Sequence, residues 1–582
     1  STTFNLQGYG LSDDAADPLK WTFPDISLAA NDYLIVFASD KNRKSGPELH
    51  ANFKIKSKGE HLLLASPNGA IVDSLSVPTL AVDVSYGRTP DGVSSWAYFV
   101  SPTPGAANNT ESATGYSTPP SFSRSGGFYA NSVTIELSSH NPDAFIRYTT
   151  DGADPGKSSR SYRSPININR TTVLKARTFE PDKLPSQVVA HTFFVDEKND
   201  IPVVSISTHP DNFFDEDIGI YVVGNGTALG GYESNPIGPP ANYWEDWERP
   251  IHIELYEPGG QLAFREKAGI KMSGKTTRKL PQKSFAIFMR SQYGKNELAY
   301  PLFPNYSVTT FGSFLLRNAG SDNTVNQGGV HFRDGLTALL LDGVDVDYQM
   351  YRPCEIYING DYWGIYSIRE KLNEEYLASH HGVDPDNVDM LDDYHTLYPL
   401  VIEGDAEDFN ALIDYLKSHD LSNETYAEYV NTRMNVRNYL TYMAVQIFYA
   451  NHDGPGHNSK FWRPRTEDGR YRWLLYDTDH SLGQRLFIPN FHYAPDAYTD
   501  NTIAYYREED GPSWPNPPES TFIFRKMLEN EKFTHLFISI LTDLMNTVFQ
   551  EDVTIPTYES TKNKIESRSE ERRVGKECIV KC

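Results

Sequence analysis

Two short stretches late in the chain carry residues of the types and spacing that chemistry requires. NHDGPGHNSKFWR at 451–463 sets Asp453 and Asn458 five positions apart, directly after a run of helical periodicity. RWLLYDTDHSLG at 472–483 runs an apolar strand into Asp477 and Asp479. A tight loop keeps a carboxylate base and an amide oxygen within a few ångströms of each other, and a strand end can set further carboxylates opposite them. Asp477 and Asp479, two apart, are expected on one strand face. These are hard oxygen donors without Cys or clustered His, a set that suits Mg2+ better than Zn2+. Asp453 is the candidate to accept a hydroxyl proton, with Asn458, Asp477 and Asp479 as the candidate metal ligands. The same residue types also cap turns, and that reading stays open here. His452, His457 and His480 leave zinc as a further alternative.

A second candidate lies earlier. GIKMSGKT at 269–276 matches G-x-x-x-x-G-K-[ST], but a phosphate-binding loop of that kind must open a helix. Here TTRKLPQKSFAIFMR follows, with Pro281 and then an alternating strand. A glycine turn between two strands is instead the arrangement of the loop that covers the nucleotide in protein kinases. Asp-x-x-x-x-Asn followed by a strand-borne Asp is the catalytic layout of the same enzymes. A lysine such as Lys283, on the strand after the turn, is equally at home solvated. WEDWERP at 244–250 reads as aromatic packing or as a sugar platform.

The elements that must position these residues follow from composition and periodicity. The chain has 582 residues, enough for three or four domains. Lys and Arg number 53 against 77 Asp and Glu, a net charge of −24, which argues against a nucleic-acid partner. No apolar run is long enough for a transmembrane segment, and 3 Cys cannot build a disulfide framework. Cys354 opens a strand as a small buried residue. Residues 1–108 alternate in a β manner, and 109–121 is a polar, Pro-containing linker. Residues 122–197 are again β-like, with Asp151-Gly152 as a hairpin turn. From Ile201 strands come first (201–208, 249–257, 283–290), and helices follow (333–343, 408–419, 436–453). That order reads as an α+β unit of two lobes.

Three resemblances sharpen this reading. GYGLSDDAADPLKWTFP at 8–24, DVSYGRTPDG at 83–92 and SPTPGAAN at 101–108 resemble the lamin-tail domain, without that family's opening strand. IRYTTDGADP at 146–155 and TTVLKARTF at 171–179 resemble the C-terminal domain of chitobiases and β-hexosaminidases. Glycoside hydrolysis is not implied, because the eight strand–helix units of a hydrolase barrel are absent from the sequence. SGKTTRKLPQKSF at 273–285, CEIYINGDYWGIYSIREKLN at 354–373, the His457-Asn458 pair and YDTDHS at 476–481 resemble the CotH family of atypical kinases.

The resemblance implies a fold of two N-terminal immunoglobulin-like all-β sandwiches followed by an α+β, two-lobed, atypical protein-kinase-like domain over 200–550. It implies ATP with Mg2+ or Mn2+, and transfer to Ser or Thr hydroxyls of a protein substrate. Asp453 takes the catalytic place, Asp477 the metal-binding one, and Asn458 that of a second ligand. Ser273, Gly274, Arg278, Lys283, Glu370 and Lys371 take nucleotide-binding places, the last two where a kinase hinge meets adenine. The glutamate that usually pairs with the lysine is not evident, and Asp334 or a residue elsewhere is the candidate. The N-terminal modules imply an extracellular or cell-surface protein with cell-surface or glycan contacts. The rival reading is a catalytically inactive kinase-like fold serving as a surface binding or structural protein.

The ends are expected to be unnatural. RSEERRVGKEC at 568–578 matches the translation of a widely used sequencing adapter, with an arginine-rich partner-binding tail as the competing reading. The chain after Glu566 is therefore expected to pack against nothing. The start, without Met or signal peptide, reads as the beginning of a fragment.

Overall fold

A computed structural model describes residues 3–575 apart from 57–58, 233–234, 237, 323–328, 393–398, 455–456, 488–489, 494–496 and 512–515. The chain divides into two compact units. The first takes residues 1–125, 132–168 and 174–191, and the second takes 126–131, 169–173 and 192–582. The expected module over 1–108 lies in the first unit, and so does most of the one over 122–197, of which 126–131, 169–173 and 192–197 fall in the second.

That first unit is built of short strands, as its turn-rich sequence requires. Trp21, Phe23, Leu49, Ala51 and Phe53 form one core. Further along, Phe145–Thr149 pairs antiparallel with Thr172–Phe179 and with Arg160–Ser161. Asp151 and Gly152 therefore begin a longer connection instead of closing a two-residue hairpin. Asp151 Oδ1 accepts the Ala153 N–H at 3.0 Å, and Gly152 stands at φ +90°.

The second unit carries strands early and helices late. In chain order its principal elements start with β1 (Val203–Ser207), β2 (Arg249–Tyr256), β3 (Leu262–Ser273), β4 (Ser284–Phe288) and β5 (Ser313–Arg317). There follow α1 (Arg333–Leu339), β6 (Asp347–Tyr348), β7 (Tyr351–Ile358), β8 (Asp361–Glu370), α2 (Glu374–His381), β9 (Val388–Asp392) and β10 (Leu400–Glu403). The last are α3 (Glu407–Ser418), α4 (Glu424–Arg433), α5 (Val436–Phe448), β11 (Lys460–Pro464), β12 (Arg472–Leu475), α6 (Pro518–Met527), α7 (Glu531–Met545) and α8 (Glu551–Gly575).

Seven strands close into a barrel in the order β1–β2–β3–β4–β5–β8–β7. Neighbours are antiparallel except for β1 beside β7. Its core comes from Val204, Ile253, Ile270, Phe285, Ile287, Leu316, Ile356 and Ile368. Burying such a side chain stabilises by roughly 1.5–3 kcal/mol. A second sheet runs β6–β12–β11–β9–β10. Phe409, Leu412, Tyr439, Leu440, Phe461 and Trp473 join that sheet to α3 and α5 in one core.

The glycine turn behaves as a strand connection. β3 ends at Ser273, Gly274 takes φ +91°, a 3-10 turn spans Thr276–Lys279, and β4 begins at Ser284. A Cβ at 274 would meet Thr277 Oγ1 at 2.6 Å, so the turn needs glycine twice over.

One expectation about the tail fails. α8 continues past Glu566, and Arg568 is 2% exposed. Its Nε lies 2.9 Å from Glu355 Oε1 on β7, and its Nη2 reaches Glu355 Oε2. A guanidinium that long can cross to a buried carboxylate wherever the helix passes one. Val574 and Cys578 have no described side-chain surroundings.

Glu180 in the first unit shows how these modules are fastened. Its carboxylate accepts Asn141 Nδ2 at 2.7 Å, Lys183 Nζ at 2.9 Å and the Thr118 N–H at 3.0 Å. The Asn141 bond leads, and together they pull its pKa from 4.5 down to about 2. As pH falls the unfolded chain takes up this proton first. The stabilisation is thus complete above about pH 4.5 and lost towards pH 2. Glu180→Gln should flatten the acid limb of the first unit's thermal unfolding between those values, measured by calorimetry across a pH series.

Candidate functional site

The first loop of the site follows α5. Asn435 caps that helix by accepting the Asn438 N–H at 3.1 Å. Beyond its end, buried Asn451 is fixed through Nδ2 to Gln446 Oε1 at 2.8 Å, and its carbonyl accepts Tyr506 OH at 2.7 Å. Asn451 Oδ1 in turn accepts the Asp453 N–H at 3.2 Å. Asn458, left-handed at φ +55°, swings its amide back so that Nδ2 lies 2.8 Å from Asp453 Oδ2. The loop places together the two residues that spacing singled out.

The second loop departs from the strand expectation. β12 ends at Leu475, and Asp477 adopts φ +56°, so Asp477 and Asp479 stand on a turn and not on one strand face. They meet through Arg317, the last residue of β5. Its Nη2 bridges Asp477 Oδ1 and, at 3.3 Å, Asp479 Oδ2, while Nη1 lies 3.2 Å from Asp334 Oδ2. Asp479 Oδ2 also accepts the Ser321 N–H at 2.6 Å. Asp334, in the first turn of α1, takes Arg369 Nη1 as well, and its Oδ1 accepts the Thr478 N–H at 3.0 Å. The two loops are tied to each other. The His452 N–H donates to the His480 carbonyl at 3.1 Å, and the Leu482 N–H to the Tyr449 carbonyl at 2.8 Å.

Lys283 approaches from the barrel. Asn318, next to Arg317, accepts Ser284 Oγ at 2.8 Å and donates to the Gln282 carbonyl at 2.5 Å, gripping both chain neighbours of the lysine. The Lys283 ammonium donates to the Leu280 carbonyl at 2.6 Å. Arg278 Nε donates to the Gly274 carbonyl at 2.6 Å, fastening the turn that Ser273 enters. Asp334 does not serve as the acidic partner proposed for the lysine, since Arg317 and Arg369 engage it.

Glu370 and Lys371 are not brought to this cluster. The Lys371 ammonium lies 5.6 Å from the Phe288 ring, at the far end of β4 from Lys283. Five strand residues separate the two ends, on the order of 15 Å. Glu370 is buried, and its carboxylate accepts Tyr306 OH at 3.0 Å, faces His380 Nε2 at 2.9 Å and accepts the Met350 N–H at 3.1 Å. It clamps α2 to the barrel.

The CotH kinase protein family matches residues 270–576 of this chain. The chain belongs to that family. The chitobiase/beta-hexosaminidase C-terminal domain matches residues 124–190. The search of curated proteins returned no match. The molecule is thus a multidomain protein with a β-rich N-terminal region and a C-terminal CotH domain.

The electrostatics of the CotH domain centre on Arg317. Burial alone would lower its pKa, but Asp334, Asp477 and Asp479 outweigh that and raise it. Burial likewise opposes ionisation of Asp334, yet Arg317 and Arg369 hold its carboxyl well below the usual range. Asp479 is pushed well above that range by burial first and by Asp477 second. Burial brings His480 down to about 4, so its ring is neutral near pH 7. Among the described residues no three His, Cys, Asp or Glu side chains are placed to hold a metal ion among themselves.

Arg317 and Arg369 went unnoticed in the sequence. The available signal was an apolar strand running into a polar pair, FLLRN at 314–318, in the manner of WLLYD. Replacing Asp334 by Asn would leave two buried guanidiniums without their shared carboxylate. Asp334→Asn should destabilise the CotH domain by about 3–5 kcal/mol, read as a downward shift of its calorimetric transition at pH 7.

Proposed function

We propose that this protein transfers the γ-phosphoryl group of Mg2+-bound ATP to Ser or Thr hydroxyls of a protein acceptor. The observation that carries this reading is the tie between two loops, one offering Asp453 with Asn458 and the other Asp477 with Asp479. Asp453 is the base. Its carboxylate, oriented by Asn458, takes the proton of the acceptor hydroxyl as that oxygen bonds to the γ-phosphorus and the bond to ADP breaks. The proton then passes to solvent.

Asp477, Asp479 and Asn458 would hold the metal ion. Their hard oxygens fit, and Arg317 already sets one positive charge between the two aspartates. Bound Mg2+ supplies neutralisation of phosphate charge. Two or three protein oxygens suffice for it, because phosphate and water complete its shell. Lys283 and the 273–278 turn face the phosphates, so positioning and charge do most of the work. Glu370 and Lys371 have no part in this scheme.

The N-terminal modules, lamin-tail-like over 1–108 and chitobiase-C-terminal-like beyond, support an extracellular or cell-surface setting with surface or glycan contacts. One observation favours a second reading. The grip of Arg317 on both Asp477 and Asp479 is what an inactive, kinase-shaped binding protein would also use to hold its site shut.

Incubation of the full chain with γ-labelled ATP and Mg2+ or Mn2+ decides between them. Incorporation of label into Ser or Thr is expected. Asp453→Asn should lower transfer by at least about 100-fold while ATP affinity holds, because the base acts on the acceptor. Asp477→Ala should instead weaken Mn2+-dependent ATP binding by about tenfold or more, followed by titration calorimetry with and without the ion. Metal-independent ATP binding, or none, with no transfer would favour the inactive reading.

A further inference from the structure

The contacts of Arg317 are not equivalent. Nη1 lies 3.2 Å from Asp334 Oδ2, whereas Nη2 serves the Asp477–Asp479 turn, reaching Asp477 Oδ1 and lying 3.3 Å from Asp479 Oδ2. Two of the three carboxylates have further donors. Asp334 also takes Arg369 Nη1, the Thr478 N–H at 3.0 Å and Thr478 Oγ1 at 3.1 Å, and Asp479 accepts the Ser321 N–H at 2.6 Å. The Asp477 carboxylate has Arg317 as its one hydrogen-bonding partner among the described residues. It is also the outermost of the three, its side chain 35% exposed against 4% for Asp479 and 7% for Asp334.

A glycine keeps the space beside these contacts clear. Gly320 stands at φ +57°, and a Cβ there would come within 2.4 Å of Asp479 Oδ2 and 2.7 Å of Arg317 Nη2. A side chain at that position would part the guanidinium from the carboxylate. The fork is therefore hinged. One arm rests on a carboxylate with three other donors, and the other arm rests on the carboxylates that carry the candidate metal ligands.

We infer that Arg317 is a nucleotide-binding residue that competes with a divalent cation for Asp477 and Asp479 and, while keeping Asp334, yields them to bond the phosphate oxygens instead. This rests on the phosphoryl-transfer reading above and deepens it. The physical reason is that two cations on the same carboxylate oxygens repel each other. Asp334 holds the guanidinium next to the turn whichever cation takes Asp477. A guanidinium keeps its charge at any ordinary pH, and its planar fork can bond a carboxylate along one edge and a phosphate along another. The exchange also separates the two readings of the site: the grip on Asp477 and Asp479 shuts it only if the grip never yields.

Two measurements on the full chain test this. The first needs no substitution: the rate at which phenylglyoxal modifies Arg317, read by mass spectrometry against the other arginines. Mn2+ at concentrations where calorimetry shows it bound should raise that rate about threefold or more. Mn2+ with a non-hydrolysable ATP analogue should bring it to or below the rate without either. The second uses Arg317→Gln, with circular dichroism as the folding control. Loss of the competing charge should tighten Mn2+ binding without nucleotide by about fivefold or more, while Mn2+-dependent ATP affinity falls about tenfold. A residue that merely ties the fold together would weaken both. Bound Mn2+ that leaves Arg317 no more reactive, or a folded Arg317→Gln with unchanged or weaker Mn2+ binding, overturns the competition. Tighter Mn2+ with unchanged ATP affinity overturns the role towards phosphate. Should Arg317→Gln not fold, protection of Arg317 by the Mn2+-bound analogue decides. The analogue bound with Arg317 still as reactive leaves the kinase reading standing and sinks this one alone. A wild-type chain that binds no ATP overturns the kinase reading, and the phosphate role of Arg317 with it.

Discussion

The site depends on one guanidinium shared among three carboxylates. Asp334, Asp477 and Asp479 come from a helix and a turn, and burial opposes the ionisation of Asp334 and Asp479. Arg317 supplies the opposing charge from the end of a barrel strand. Its planar fork matters: Nη1 goes to Asp334 while Nη2 goes to the other two. A lysine at that place would offer one point of charge and no second direction. Barrel, helix and second sheet are thus fastened at a single side chain, and the loops of the candidate site hang from that fastening.

The local charge does not balance. Two guanidiniums, Arg317 and Arg369, face three carboxylates. Asp334, held from both sides, keeps its charge, and the surplus falls on the Asp477–Asp479 turn. Asp479 meets it by favouring its protonated form. A divalent ion would meet the same surplus by replacing that proton. The chemistry proposed here therefore draws on an imbalance that the buried network imposes, and the ion would complete a charge pattern already set by the fold.

Much of this was legible in order along the chain and little of it across the chain. The Asp453–Asn458 contact spans five residues, and local spacing foretold it. The failure of the G-x-x-x-x-G-K-T text as a phosphate loop was equally local, because a helix opened at Lys275 would carry Pro281 in its interior and the text beyond it alternates as a strand. Arg317 lies 160 positions before Asp477, and no periodicity announces a pairing at that distance. The apolar run gives no sign that the strand stops at Leu475, two residues before Asp477 takes a positive φ, so the expected strand face for Asp477 and Asp479 is lost there. Glu370 ends β8 of the β7–β8 hairpin and Lys371 follows it, but a hairpin has two ends. Which end faces the site follows from barrel order, and strand order is a property of the closed sheet.

The barrel also fixes how much chain the site requires. The family match begins at residue 270, within β3, yet β1 pairs with both β2 and β7, and β2 pairs with β3. Without 203–256, β3 and β7 would each present an unpaired edge where the closed sheet has none. β4, which Lys283 immediately precedes, and β5, which ends on Arg317, are kept in register by that closure, through Phe285 opposite Leu316 and Phe288 opposite Ser313. Strand closure and the Tyr221 and Tyr243 rings beside the Lys283 ammonium thus come from the same stretch of sequence. The surroundings of Lys283 thus include residues that precede the family's own text, whereas the carboxylates lie within it.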